Sequence, residues 1–189
     1  MSDPALESTR RRLTAKQADT VDRLGRAAVE LLQREGFAGL TIRRVAAEAG
    51  VGAATAYTYF SSKEHLVAEV FWRRLAAAPP ADHKSDDPAT RVIEVLRHIA
   101  LLVADEPEFA GAVTTALLGR DPDVEVLRQR IGRDIRDRLL AALGPQTDYD
   151  VIEALELLYI GVLVWVGMGY SSQEDMTRRL EKSARLILR

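Results

Sequence analysis

From Lys16 to Glu35, apolar residues return at three- and four-residue intervals, with Val21, Leu24, Ala28 and Leu31 on one face. This spacing predicts an amphipathic helix, and Gly36 follows it as glycine commonly follows a helix end. Thr41–Ala49 predicts a short second helix: Thr41 is a good N-cap, Ile42, Val45, Ala46 and Ala49 point inward, and Gly50 stops it. A third short helix runs from about Gly52 to Tyr59. A fourth begins at Ser61 or Ser62, carries Glu64 in its first turn and continues through Leu66, Val70, Phe71 and Leu75. The stretch Ala76–Pro88, with two adjacent prolines and a polar, charged tail, predicts a boundary between a small N-terminal unit and a larger body. Beyond it the pattern predicts helices at Ala89–Ala104, Pro107–Leu118, Asp123–Leu143, Tyr149–Ser171 and Gln173–Leu188. Pro107, Pro122 and Pro145 stand at breaks or first turns, and Asp121 and Asp148 serve as caps. No period-two run, internal repeat or low-complexity segment is visible, so the predicted class is all-α.

Composition narrows this picture. With 189 residues, 47% of them hydrophobic and 29% charged, the chain can bury a real core. It has no cysteine, which excludes disulfides, thiolate nucleophiles and cysteine-ligated metals and fits a cytoplasmic setting. Met1–Thr20 has no apolar run before a small-residue cleavage site, so no secretory signal is expected. The uncharged run Leu157–Gln173 approaches bilayer length, but its apolar part ends near Tyr170 and glycines 161, 167 and 169 interrupt it. A buried helix, not a membrane span, is expected there, with the glycines allowing another backbone close. The net charge is only −2, yet Thr9–Lys63 carries ten Lys/Arg against five acids, a local balance of +5. A basic N-terminal unit on an acidic body suits local contact with phosphate.

Candidate chemistry concentrates in Gly36–Leu66, where two short helices meet across Ala49-Gly50-Val51-Gly52. Gly50 can take the left-handed conformation that reverses the chain, and Val51 can plug the angle between the helices. An ordinary helical hairpin and a helix-turn-helix whose second helix enters a major groove satisfy this geometry equally. The residues Gly36-Phe37, Thr41-Ile42, Val45-Ala46, Ala49-Gly50-Val51, Thr55, Tyr57, Tyr59-Phe60, Ser62-Lys63-Glu64 and Leu66 separate the two: together they closely resemble the tetracycline-repressor-like (TetR) family. The resemblance implies a three-helix DNA-binding domain over residues 16–62 behind a flexible basic arm, 1–15. It also implies a helical effector-binding and dimerisation domain over 63–189. Its expected partners are double-stranded DNA with a palindromic operator, a small effector that shifts the fourth helix, and a second copy paired through the last two helices, Tyr149–Leu188.

Within that frame, hydroxyls of Thr41, Thr55, Tyr57 and Thr58 and the cation of Lys63 suit phosphate oxygens. Arg43 falls where family members often carry a base-reading residue, and a guanidinium can grip guanine with two hydrogen bonds. Arg44 is a second candidate cation. The recognition helix departs from its relatives, since Gly52, Ala53 and Ala54 open it where Ser and larger polar residues are common. Selectivity then falls to thymine methyls on Ala53 or Ala54, to Arg43, to DNA shape, or to Arg10-Arg11-Arg12 with Lys16 acting as a minor-groove arm. Tyr59 and Phe60 are expected to anchor the reading unit's core.

The body offers no catalytic constellation. His65, His83 and His98 lack metal-ligand spacing and no glycine-rich phosphate loop precedes a helix, so no enzyme, metal or cofactor is expected. Leu102, Phe109, Val113, Leu117, Trp165 and Met168 are the candidate lining of an effector pocket, and the scarcity of charge beside them suggests an apolar, long-chain acyl or sterol-like ligand. The favoured function is a DNA-binding repressor relieved by such a ligand. The alternative is a helical small-molecule-binding or enzymatic protein in which the helix-turn-helix is only structural.

Overall fold

Local chemistry sets the helix ends in the computed structural model, which describes residues 14–81, 85–144, 147–168 and 173–188. Thr14 opens α1 (Ala15–Gly39) with a capping box to Gln17, and Gly36, at φ 66°, ends its regular part after Glu35. Thr41 caps α2 (Ile42–Glu48), Gly52 stands at the start of α3 (Ala53–Tyr59), and Ser62 caps α4 (Lys63–Ala77). Asp87 and Asp121 cap α5 (Pro88–Leu101) and α7 (Pro122–Leu143). Pro88, Pro107 and Pro122 occupy first turns, where proline's missing N–H costs nothing. Pro107 opens α6 (Pro107–Leu118); α8 (Tyr149–Gly167) and α9 (Gln173–Ile187) follow. No strand occurs among the described residues, and the fold is all-α, as the periodicity predicts.

The end of α5 differs clearly from the sequence reading. Helix α5 stops at Leu101 rather than Ala104, because residues 102–106 close short turns such as Glu106 N–H to Val103 O (3.2 Å). Helix α8 is described to Gly167, and the rest of its expected span, with Gly169 and Ser171, lies largely outside the described residues, as does His83.

Helix α4 packs chiefly on α6 and α7 and more lightly on α1; α1 in turn meets α6, α5 lies on α7 and α9, and α8 lies on α6 and α9. The apolar core is therefore continuous from α1 to α9. The proline-rich stretch after Ala76 follows a helix already embedded in the body. Gly25 permits the α1–α4 approach, since a Cβ there would stand 3.2 Å from a methyl of Val70. Arginines satisfy helix ends that lack partners of their own. Arg138 of α7 donates to the carbonyls of Leu75 (2.8 Å) and Ala78 (3.2 Å) at the end of α4, and Arg91 of α5 donates to Ala142 O (2.6 Å) at the end of α7.

Glu69 of α4 is fully buried and accepts a hydrogen bond from Arg73 Nε (2.8 Å). Burial raises its pKa above the ordinary 4.5, and the opposing pull of Arg73 and Arg130 is smaller. A carboxyl whose pKa is higher in the folded state adds stability below its unfolded pKa and loses it as pH rises through the folded value. In Glu69→Gln that loss is absent. The difference in thermal midpoint between Glu69→Gln and the parent should move in favour of Gln between about pH 4 and about pH 7; a pH-independent difference contradicts the assignment.

Candidate functional site

The reading unit is organised by the turn between α2 and α3. Gly50 adopts φ 62°, its N–H donates to Ala47 O (3.1 Å) and the Val51 N–H donates to Ala46 O (2.8 Å). This pair of bonds closes a Schellman motif that only a residue tolerant of positive φ completes without strain. Val51 packs against the core, as expected of a plug between the helices. From α1, Arg23 donates to the carbonyls of both Ala49 and Gly50. Arg23 thus fixes the turn from a position 26 residues earlier in the chain. Nothing local in the sequence singles it out. Tyr59 and Phe60 are buried, and Phe60 meets His65 edge-on at 5.5 Å.

This geometry turns one strip of α3 outward. Ala54, Thr55, Tyr57 and Thr58 are exposed, Ala53 is half-buried, and Ala56 and Tyr59 point into the core. The Thr58 hydroxyl donates back to Ala54 O (3.0 Å), and Thr41 is exposed but accepts from Arg44 N–H (3.3 Å) as the α2 cap. Arg43 is exposed and has no ion pair among the described residues. Arg44 differs: it pairs with Glu35 and donates to Gly39 O (2.9 Å), stapling the end of α1 to α2. Lys63 is also engaged, donating to Phe37 O (2.8 Å) with its ammonium 4.2 Å from the centre of the Phe37 ring. Lys16 is exposed in the first turn of α1, whereas Arg10, Arg11 and Arg12 and nearly all of the expected 1–15 arm lie outside the described residues.

Helices α4 and α7 meet where both begin. The Ser62 hydroxyl accepts from His65 N–H (2.9 Å) and donates to Asp121 Oδ2 (2.6 Å); Asp121 in turn accepts from Asp123 N–H (2.8 Å) and Val124 N–H (3.3 Å). One hydroxyl–carboxylate bond thereby couples the caps of two helices. Beside it the Ser61 hydroxyl donates to Asp123 and lies 3.2 Å from Nδ1 of the buried His65. Sequence identifies Ser62 and Asp121 as caps but carries no sign that they meet.

In the body, α6, α7 and α8 enclose a groove of about 560 Å³. Its walls include Val113, Leu117, Ile131, Ile135 and Leu163, and Arg128, Arg133, Arg136 and Glu156 also line it. Tyr159 forms part of the lining; its hydroxyl is buried with no hydrogen-bond partner among the described residues, and burial pushes its pKa up. Of the six expected lining residues, the groove gathers Val113 and Leu117. Phe109 is fully buried, with the Arg74 guanidinium 4.4 Å from its ring centre, and Leu102 packs against the core while its carbonyl accepts from Arg74 (3.1 Å). Trp165 is exposed on α8 and Met168 just beyond its end, and α8 also leaves Leu157 and Ile160 exposed. Among the described residues no cluster of three or more His, Cys, Asp or Glu could hold a metal ion, and no helix is long and apolar enough to cross a membrane.

Residues 25–70 match the family model described as bacterial regulatory proteins, tetR family. A helix-turn-helix-type transcriptional regulator of Mycobacterium tuberculosis is 41% identical over 189 residues, covering 99% of this chain and 88% of the relative. Among solved structures, a TetR transcriptional regulator from Rhodococcus sp. RHA1 superposes with a TM-score of 0.76 at 23% identity, over 92% of this chain and 97% of that one. The Thermus thermophilus repressor FadR, solved in complex with lauroyl-CoA, superposes with a TM-score of 0.63 at 20% identity, over 89% and 93% of the two chains.

Gly50→Ala places a Cβ in the left-handed region and 3.3 Å from Arg23 Nη2, so it should lower the unfolding free energy by at least about 1 kcal/mol. Gly111→Ala, within α6 with open space around its Cβ, should instead raise it by up to about 1 kcal/mol. Denaturant unfolding of both variants checks this; the same sign for the two contradicts the account of the turn.

Proposed function

This chain belongs to the tetR family of bacterial regulatory proteins, DNA-binding transcriptional regulators rather than enzymes, and on that premise we propose that it is a homodimeric repressor relieved by a small molecule. The observation that carries the proposal is the outward strip of α3 beside Arg43, which has no ion pair among the described residues, held at a fixed angle by the Gly50 turn. Residues 16–62 serve as the reader and 63–189 as the effector and dimerisation domain. In this reading Arg43 reaches a base edge, Ala53 and Ala54 pack against thymine methyls, and Tyr57, Thr55, Thr58 and Thr41 contact phosphates. Gly52 lets the backbone at the start of α3 approach the duplex. Arg44 and Lys63 act mainly by holding α1, α2 and α4 together, and present their charge to phosphate from those fixed positions.

The uncovered apolar face of α8, with Leu157 64% exposed and Met168 just beyond the helix 62% exposed, supports pairing with a second copy through α8 and α9. A two-fold dimer presents two α3 helices to successive major grooves of a palindromic operator. Effector bound in the body, beside α7, shifts the start of that helix; the Ser62–Asp121 bond passes the shift to α4 and changes the separation of the readers. Release requires tighter effector binding to the DNA-incompetent arrangement, and DNA then weakens effector binding by the same factor. The lauroyl-CoA complex of the Thermus FadR supports small-molecule control on this fold.

Footprinting upstream of the chain's own reading frame tests the operator assignment. Arg43→Ala should weaken specific binding by about 1–3 kcal/mol, roughly 5- to 150-fold, while leaving binding to random duplex nearly unchanged. Equal loss on both DNAs removes Arg43 from base reading, and protection of no palindrome sinks the repressor assignment. Leu157→Glu should shift sedimentation to the monomer and abolish footprinting; a dimer that persists places the seam elsewhere.

A further inference from the structure

We propose that the α6–α7–α8 groove takes an amphiphilic anion, with the hydrocarbon along its apolar walls and the anionic head against Arg133. This rests on the reading above that the body binds an effector, and it adds the chemical class. Four features of the groove point to that class. Its walls are apolar, and at about 560 Å³ it has room for a long hydrocarbon chain. Three arginines and a single carboxylate line it, leaving two positive charges uncompensated. Those arginines are not equivalent. Arg136 holds Glu156 through two bonds (2.8 and 2.6 Å), and Arg128 is engaged by the carbonyls of Leu117 (2.7 Å) and Gly119 (2.6 Å). Arg133 has only a long contact to Gln129 O (3.4 Å) and no carboxylate among the described residues. A guanidinium beside an apolar wall binds a carboxylate or phosphate more strongly than either group does in bulk water.

The third feature is Tyr159, whose buried hydroxyl has no hydrogen-bond partner among the described residues; a buried donor left unpaired is destabilising, and an oxygen on the occupant satisfies it. The fourth is Gly132. It lines the groove from within α7, where glycine favours the helix less than alanine does, and a Cβ there would meet nothing within 4 Å. The wall is therefore left open at the level of Arg133. A neutral hydrocarbon leaves the two positive charges unanswered, and a cation is repelled by them.

The test is calorimetric titration of the full-length protein with dodecanoate, dodecyl phosphate, dodecanol and dodecyltrimethylammonium, each below its aggregation limit. Dodecanoate or dodecyl phosphate should bind about tenfold or more tightly than dodecanol, and the ammonium weakest; which of the two anions binds better separates a carboxylate from a phosphate head. Arg133→Ala should bring anion binding down to the level of dodecanol without changing dodecanol itself, and Arg133→Lys should restore most of it. Gly132→Leu adds side chain to open space on an exposed helix position, so it should fold normally and lose binding of all chains. Equal affinity for dodecanol and the anions, an Arg133→Ala effect of the same size on dodecanol, or failure of every probe to bind overturns the proposal. So does Gly132→Leu if it disrupts the dimer while leaving probe binding intact, because the groove then receives a second copy. Parallel measurement of operator binding keeps the two readings apart: Arg133-dependent anion binding without DNA release overturns ligand relief alone, whereas release by dodecanol without anion preference overturns the anionic class alone.

Discussion

Burial of α4 from two sides is the constraint on which the rest of the molecule depends. Leu66, Val67, Phe71 and Leu75 lie in the core, and the helix touches α1 of the reader as well as α6 and α7 of the body. Close-packed interiors transmit displacement rather than absorb it. Helices α1–α3 are therefore tied to the rest by packing: α4 touches α1, and α7 meets α4 both through side-chain packing and through the Ser62–Asp121 bond. Glu69 sharpens this constraint, because a buried carboxylate tied to Arg73 tolerates little loosening around it.

Much of this architecture is legible in the sequence wherever chemistry is local. Thr41, Gly50, Ser62, Asp121 and the helix-opening prolines place most helix ends within a residue or two, since capping and glycine termination act over three or four positions. The end of α5 is less legible because turns 102–106 contain neither proline nor glycine. The engagement of Arg23, Arg44 and Lys63 is harder still. Each joins segments distant in sequence or around a turn, and an arginine bound to a carbonyl has the same local signature as a solvated one.

The body shows where periodicity runs out. It identifies which residues turn inward but not whether they meet other side chains or empty space. Phe109 and Leu102 belong to packed core, whereas Val113 and Leu117 border a groove. Trp165 and Met168 follow the apolar pattern of α8, yet one chain does not cover them. The groove's charged lining was invisible for a complementary reason: Arg128, Arg133 and Arg136 read as the solvated face of α7 until α8 is placed across from them.

Among the described residues Arg23 and Lys63 are held by carbonyl oxygens rather than carboxylates, so no acidic partner offsets either cation while hydrogen bonds hold its side chain in place. The reading unit consequently carries a fixed positive field that costs no ordering when a polyanion approaches. Such a field acts across the solvent gap, raising the frequency of encounter with any duplex and fading as ionic strength shortens its reach. In the proposed reading, with Arg43 at a base edge, capture from a distance and discrimination at contact reside in different side chains, and either can change by mutation while the other stays as it is.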